Sequence, residues 1–221
     1  PPPSLFVRKV DRLAAMGEGE SLNELVRSAG AYSDPAIAGT AANALLLAGE
    51  RAGGCNIVQN QKLAQPFALR AEAACKLAAG DSAAALALVE GQKPRDNALF
   101  TLVQLAAGSL PPTTAPAGPV DGPMMVMLEL AHVPPPAAVL QSTQPPIMRA
   151  LVANKTLALP VRIEIAERGE VLAIIEATRV CSASRSHSQK PMLPALISRS
   201  KRARSSRSAS SAVLRSVMSI M

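Results

Sequence analysis

The glycine-rich stretch LLLAGERAGGCNIV, Leu45–Val58, is the first place where residue types could do chemistry, because glycine loops at helix starts cradle phosphate groups. A Walker-type loop ends in Gly-Lys-Ser or Gly-Lys-Thr, and a dinucleotide loop needs Gly-x-Gly-x-x-Gly between a strand and a helix. The stretch contains neither pattern. We therefore expect a structural turn between two helices, and no cofactor.

The histidines and cysteines are the next candidates for a metal site or a nucleophile. They are His132, His187, Cys55, Cys75 and Cys181. Zinc sites use closely spaced Cys and His pairs, and many metalloproteases use a His-Glu-x-x-His helix, and the sequence has neither. His132, in ELAHVPPP, is predicted to lie at a helix end, near the negative end of the helix dipole. We expect no metal, no catalytic residue and no enzymatic activity.

Cys55 and Cys75 are predicted to lie on antiparallel neighbouring helices joined near Leu63. Cys55 is eight residues before this turn and Cys75 is twelve after it, a mismatch of about 6 Å along the helix axes. A disulfide needs Cα atoms within about 7 Å, so two interpretations stay open, a pair of buried thiols and a bridge. A bridge indicates an oxidising compartment such as the periplasm, and free thiols indicate the cytoplasm.

Basic charge is concentrated at the C-terminal end. Residues 177–221 hold nine of the 23 Lys and Arg residues and no acidic residue. Residues 1–176 hold the other 14 basic residues and all 16 acidic ones, a net charge of about −2. The body of the chain therefore lacks the charge of a nucleic-acid binder.

The Ser- and Arg-rich tail, residues 181–221, allows three interpretations. It is an arm for nucleic acid or anionic lipid, a solvated disordered tail, or a non-native frameshift product, since the Ala-rich style of the sequence stops near Val180. In the first interpretation the anion-binding residues are those of RSKRARSSR, namely Arg199, Lys201, Arg202, Arg204 and Arg207.

Four glycines mark an internal repeat in the first half of the chain. Gly17, Gly49, Gly80 and Gly108 follow Ala or Met, precede an acid or Ser, and are spaced by 32, 31 and 28 residues. Aliphatic pairs follow eight and nine residues after the first three glycines, and leucines precede each glycine by three or four residues. Each unit thus predicts a helix, a turn with glycine in the left-handed conformation, and a second helix.

Residues from about 5 to 108 resemble the tetratricopeptide-like helical-repeat proteins, in particular the divergent, Ala-rich ones common in alphaproteobacteria. The glycine spacing and the phrases LLLAGERAGGC and CKLAAGDSAAALALV carry the resemblance. It implies an all-α fold, a right-handed stack of antiparallel helical hairpins that binds a protein or peptide on a concave face. No catalytic residues come with it.

Partner binding is expected on the first helix of each unit, at polar positions of otherwise apolar helices. These positions are Arg12, Asn43, Arg70 and Lys76. Solvent exposure alone is the competing explanation for polar residues there.

The pattern divides the chain into four regions. Repeat units lie near 5–30, 35–60, 66–91 and 96–108, with start signals at Pro35, Pro66 and Asp96; a Pro-rich linker covers 109–123, and a shorter helical group over 124–180 continues or caps the stack before the tail. In the last helix of that group, Ile163, Ala166, Leu172 and Ile175 are predicted to face the core. The chain opens PPPSLFVRKV without Met, as expected of a fragment, a processed chain or an interior start.

The absence of a run of eighteen apolar residues predicts no transmembrane span. The function predicted from the sequence is a non-enzymatic scaffold for protein–protein interaction or assembly. The alternative is binding of nucleic acid or an anionic surface through the basic tail.

Overall fold

The structure, a computed structural model, describes residues 4–28, 35–92, 96–112 and 114–171. These residues form eleven helices and no strand, which confirms the all-α class. The helices are α1 Leu5–Met16, α2 Gly19–Ser28, α3 Pro35–Leu47, α4 Arg51–Asn60, α5 Phe67–Ala78, α6 Ser82–Glu90, α7 Asn97–Ala106, α8 Gly122–Leu130, α9 Ala137–Leu140, α10 Pro145–Ala153 and α11, described over residues 159–171.

The four repeat glycines close α1, α3, α5 and α7 with one common backbone conformation. Gly17, Gly49, Gly80 and Gly108 have φ angles of 71°, 82°, 81° and 71°. In each turn the glycine N–H donates to the carbonyl three residues back, and the following N–H donates to the carbonyl five residues back. These two hydrogen bonds satisfy the last carbonyls of the helix. The predicted left-handed conformation of the four glycines is confirmed.

The predicted start signals are also confirmed. Pro35 is the first residue of α3, where its missing N–H costs nothing, and Pro66 immediately precedes α5. Asp96 caps α7, since its side chain accepts hydrogen bonds from the backbone N–H groups of Ala98 and Leu99, both at 3.0 Å.

Up to α7 each helix packs on the next helix in the chain or on the one after it, and then α8 packs on helices further back in the sequence. It contacts α3, α5 and α7, while α10 contacts α1 and α3. Residues 122–128 of α8 are all buried, as expected for a helix that is apolar on every face. Helices α8 and α10 therefore lie against the first helices of the hairpins.

The leucine run Leu45–Leu47, in the glycine-rich stretch, lies where three parts of the core meet. Leu45 packs with residues of α1 and α2, Leu46 with residues of α5 to α8, and Leu47 with residues of α8 to α11. All three leucines are buried. Because successive helical residues point about 100° apart, one run can contribute to three clusters only if α3 is surrounded.

The predicted core face of α11 is wrong at Ile163, which is 49% exposed, whereas Ile165 is 2% exposed. Both Leu159 with Ile163 and Val161 with Ile165 form pairs four residues apart, so the sequence offers two apolar faces. Two arginines on the second face settle the choice, because Arg162 donates to the carbonyl of Val152 at the end of α10 and Arg168 to that of Leu140 at the end of α9. Leu172 and Ile175 lie outside the described residues.

Candidate functional site

The four predicted partner-binding residues fall into two groups. Arg12 is exposed on α1, and Lys76 on α5 has a side chain that is 34% exposed, with Nζ 3.8 Å from Oε1 of Glu72. Asn43 on α3 and Arg70 on α5 come together at the start of α8. We call the surface of α3, α5 and α7 that holds α8, together with Arg51 at the start of α4, the α8 socket.

At the end of the socket that holds the N-terminus of α8, Arg70 and Asp121 form a mostly buried ion pair. Oδ2 of Asp121 accepts from Nε of Arg70 at 2.8 Å and lies 2.7 Å from Nη2. Oδ1 accepts from the backbone N–H of Met124 at 3.0 Å, which caps α8. The side chains of Arg70 and Asp121 are only 14% and 11% exposed, so salt screens this pair weakly and the loss of one partner leaves a buried charge.

Gly122 follows Asp121 and touches the backbone of α3. Its N–H donates to Oδ1 of Asn43 at 2.7 Å. A Cβ atom here would lie 2.5 Å from the carbonyl oxygen of Asn43 and 2.7 Å from Cβ of Leu46. Only glycine allows this approach without a shift of one helix, so the hydrogen bond that Gly122 donates to Asn43 and the small size of Gly122 together fix the register of α8 on α3.

At the other end of the socket the ion pair is open to solvent. Nη2 of Arg51, the first residue of α4, lies 2.7 Å from Oε2 of Glu129, with side chains 35% and 41% exposed. Three residues later the chain leaves α8 at His132, which has φ 53° and repeats the bond pattern of the glycine turns. His132 is thus a helix-end residue, as predicted, in a position that favours glycine.

Cys55 on α4 and Cys75 on α5 are joined by a disulfide, with Cα atoms 5.5 Å apart. Of the two interpretations, the structure therefore has the bridge. Cys55 and Cys75 are separated from the loop between Asn60 and Phe67 by different numbers of residues. The packing of α4 on α5 nevertheless brings the two cysteines together. The bridge links the helix that carries Arg51 to the helix that carries Arg70, the two cations of the α8 socket.

The tail residues Arg199, Lys201, Arg202, Arg204 and Arg207 lie outside the described residues, and tail binding stays a prediction. None of the helices in the described part of the chain is long and apolar enough to cross a membrane. Over the same residues, no three His, Cys, Asp or Glu side chains form a group suited to a metal ion.

Comparison with protein-family models, with curated proteins and with solved structures finds no match to this chain. The fold and the site thus define an all-helical protein in which one apolar helix is held by helices from earlier in the chain. The resemblance to tetratricopeptide-like proteins stays a prediction.

Sequence reasoning missed four residues at the contact between α8 and its socket, namely Arg51, Asp121, Gly122 and Glu129. The phrase VDGP carried a signal for two of them, because Asp before Gly-Pro is a helix start, and α8 begins at Gly122 inside the region assigned to the linker. Arg51 and Glu129 had no local signal, since they are 78 residues apart.

Proposed function

We propose that this protein is a non-enzymatic helical-repeat scaffold, which acts by holding protein segments against the first helices of its hairpins, α1, α3, α5 and α7. In the proposal these hairpins form a right-handed stack, as in tetratricopeptide-like proteins. The hairpin pattern is interrupted at α8, because this helix packs against α3 and α5 together. The proposal places no catalytic step in the protein.

The observation that carries the proposal is the α8 socket. Two hairpins contribute one polar side chain each, Asn43 and Arg70, to the start of a single helix, and α3, α5 and α7 contribute apolar surface to its sides. Recognition of an apolar helix in a groove combines the same two elements, apolar contacts along the helix and polar contacts that fix its register. The first helices are therefore suited to bind helical segments, of which α8 is the resident one.

A partner must use the part of this face that α8 leaves uncovered. Arg12 on α1 is exposed and Lys76 on α5 is about one third exposed. Asn43 and Arg70 are engaged by α8, so charge reversal at Arg70 would test folding instead of binding. Arg12 and Lys76 are the residues through which the proposal is tested.

The experiment combines crosslinking with charge reversal. A photo-crosslinking side chain at position 12 is compared with one at position 27, an exposed arginine on α2, the second helix of the same hairpin. We expect a protein partner to be captured from position 12 and not from position 27. Binding of that purified partner should then weaken about tenfold in Arg12→Glu and Lys76→Glu and stay unchanged in Arg27→Glu.

Two results would contradict the proposal. One is equal crosslinking from both positions, which indicates non-specific contact. The other is a partner whose affinity is the same for all three charge-reversal variants, because its binding would not involve the first helices.

A further inference from the structure

A cleft with a volume of about 420 Å³ opens beside the exposed end of the α8 socket. It lies where the end of α3, the start of α4, the second half of α8 and the end of α10 meet. We call it the Arg51 cleft. Its volume is near the lower end of the range for ligand pockets in proteins, which suits one or two aliphatic side chains.

Apolar side chains form about half of the accessible surface of the Arg51 cleft, and polar groups form the rest. Leu46 and Leu47 line it from α3, Met125 and Val126 from α8, and Ala150 from α10. The aliphatic part of the wall favours an apolar group at that place, and the unbranched side chain of Met125 adapts to groups of different shape.

The rim is formed by the Arg51–Glu129 ion pair, which engages Nη2 of the first and Oε2 of the second. Among the described residues, nothing else bonds to these two side chains, and both are more than one third exposed. The remaining guanidinium N–H groups can donate, and the remaining carboxylate oxygen can accept. Since the two charges neutralise each other, the rim favours a neutral group that carries both a donor and an acceptor over an isolated anion or cation.

Asn154, at the end of α10, adds a second donor to the lining. It is only 4% exposed. Its Oδ1 accepts from the backbone N–H of Thr156 at 2.8 Å and from the hydroxyl of Thr156 at 2.7 Å, which fixes the other side-chain atom as the amide nitrogen. No described residue accepts from that nitrogen. A carbonyl oxygen bound in the cleft can accept from this amide nitrogen and so complete its hydrogen bonding.

We propose that the Arg51 cleft binds a peptide segment of a partner protein, with one apolar side chain inserted between α3 and α8. A peptide group of the segment lies at the rim, its carbonyl oxygen accepting from Arg51 and Asn154 and its N–H donating to Glu129. This inference rests on the proposed scaffold function and names the chemistry of its partner. The mouth at Ala48 and Gly49 is exposed, so the rest of the segment continues outside the cleft.

The test uses the methionine methyl groups of the full chain as NMR reporters. Met125 lines the cleft, whereas Met127 is fully buried in another part of the core and serves as the internal control. The probe is the capped tripeptide acetyl-Ala-Leu-Ala-amide. We expect its titration to shift the Met125 methyl signal with saturation and to leave Met127 unchanged, while acetyl-Ala-Asp-Ala-amide shifts neither.

Two variants assign the binding to the rim. Arg51→Gln should weaken tripeptide binding by about tenfold, because it removes charge-assisted donors. The matched control is Arg149→Gln, which removes another exposed ion pair of 2.7 Å, with Glu18, that does not line the cleft. Its affinity should equal that of the unmodified chain.

Three outcomes would overturn the inference. They are an unshifted Met125 signal at the highest soluble tripeptide concentration, equal affinity in Arg51→Gln and Arg149→Gln, and an equal shift with free L-leucine, which would make the ligand a small zwitterion. None of them contradicts the scaffold function, since crosslinking at position 12 reports on a different surface.

Discussion

The two ends of α8 are held by ion pairs of the same length in different surroundings. Arg70–Asp121 and Arg51–Glu129 both have a shortest N–O distance of 2.7 Å, but the side chains of the first pair are 14% and 11% exposed and those of the second 35% and 41%. The N–O distance alone therefore does not decide how much an ion pair contributes to the stability of the fold. The buried pair specifies where α8 begins, and the exposed pair leaves hydrogen-bonding groups available at the rim of a cleft.

The largest effect should come from removing the carboxylate at the buried end. Asp121→Ala leaves the guanidinium of Arg70 unpaired in a mostly buried site and removes the cap of α8, and we expect a loss of about 3–5 kcal/mol in the free energy of unfolding. Glu129→Ala, the same change at the exposed end, should cost about 0–1 kcal/mol. Urea unfolding followed by circular dichroism measures both.

Asp121→Ser separates the two roles of Asp121, because serine caps a helix but carries no charge. If Asp121→Ser is as stable as the unmodified chain, the ion pair contributes nothing and only the cap matters. Equal losses in Asp121→Ala and Glu129→Ala would remove the contrast between the two ends.

The next effect concerns the link between the two ends. The Cys55–Cys75 bridge joins residues 20 apart, and closing a loop of this size stabilises a protein by about 3 kcal/mol, chiefly through the unfolded chain. We expect reduction, or the double change Cys55→Ala and Cys75→Ala, to lower the unfolding free energy by that amount. Mass spectrometry after thiol alkylation of protein from the source cells checks the bridge, and labelling of both cysteines without reductant would contradict it.

The third and smallest loss of stability expected at the buried end or its link is the cost of one methyl group. Gly122→Ala places a Cβ atom against the backbone of α3, and we expect a loss of about 1–3 kcal/mol. Gly39→Ala, within α3, is the matched control, because its Cβ would meet nothing within 4 Å. Alanine there should stabilise the helix by about 0.5–1 kcal/mol. Thermal unfolding compares the two variants. A Gly122→Ala variant that is as stable as Gly39→Ala would contradict the close approach of α8 to α3.

Several features of the first half could be predicted because each depends on neighbouring residues. A glycine after an apolar helix predicts a left-handed turn, and an Asp or Pro before the next apolar run predicts a helix start, as at Gly49, Gly80 and Asp96. The α8 socket could be predicted only in part. Asn43 and Arg70 stand out as polar residues on apolar helices, but their partners Asp121 and Gly122 lie in a segment that the proline count assigned to the linker.

The sequence by itself determined the all-α class, the four glycine turns and the helix starts, since local hydrogen bonds and backbone preferences fix them within a few residues. Tertiary structure decided which face of α11 is buried, that the two cysteines meet, and that α8 lies against α3, α5 and α7. The physical reason is the distance along the chain. Contacts between residues 51 to 79 positions apart form only when many helices pack together, and no local pattern records which apolar surfaces will meet.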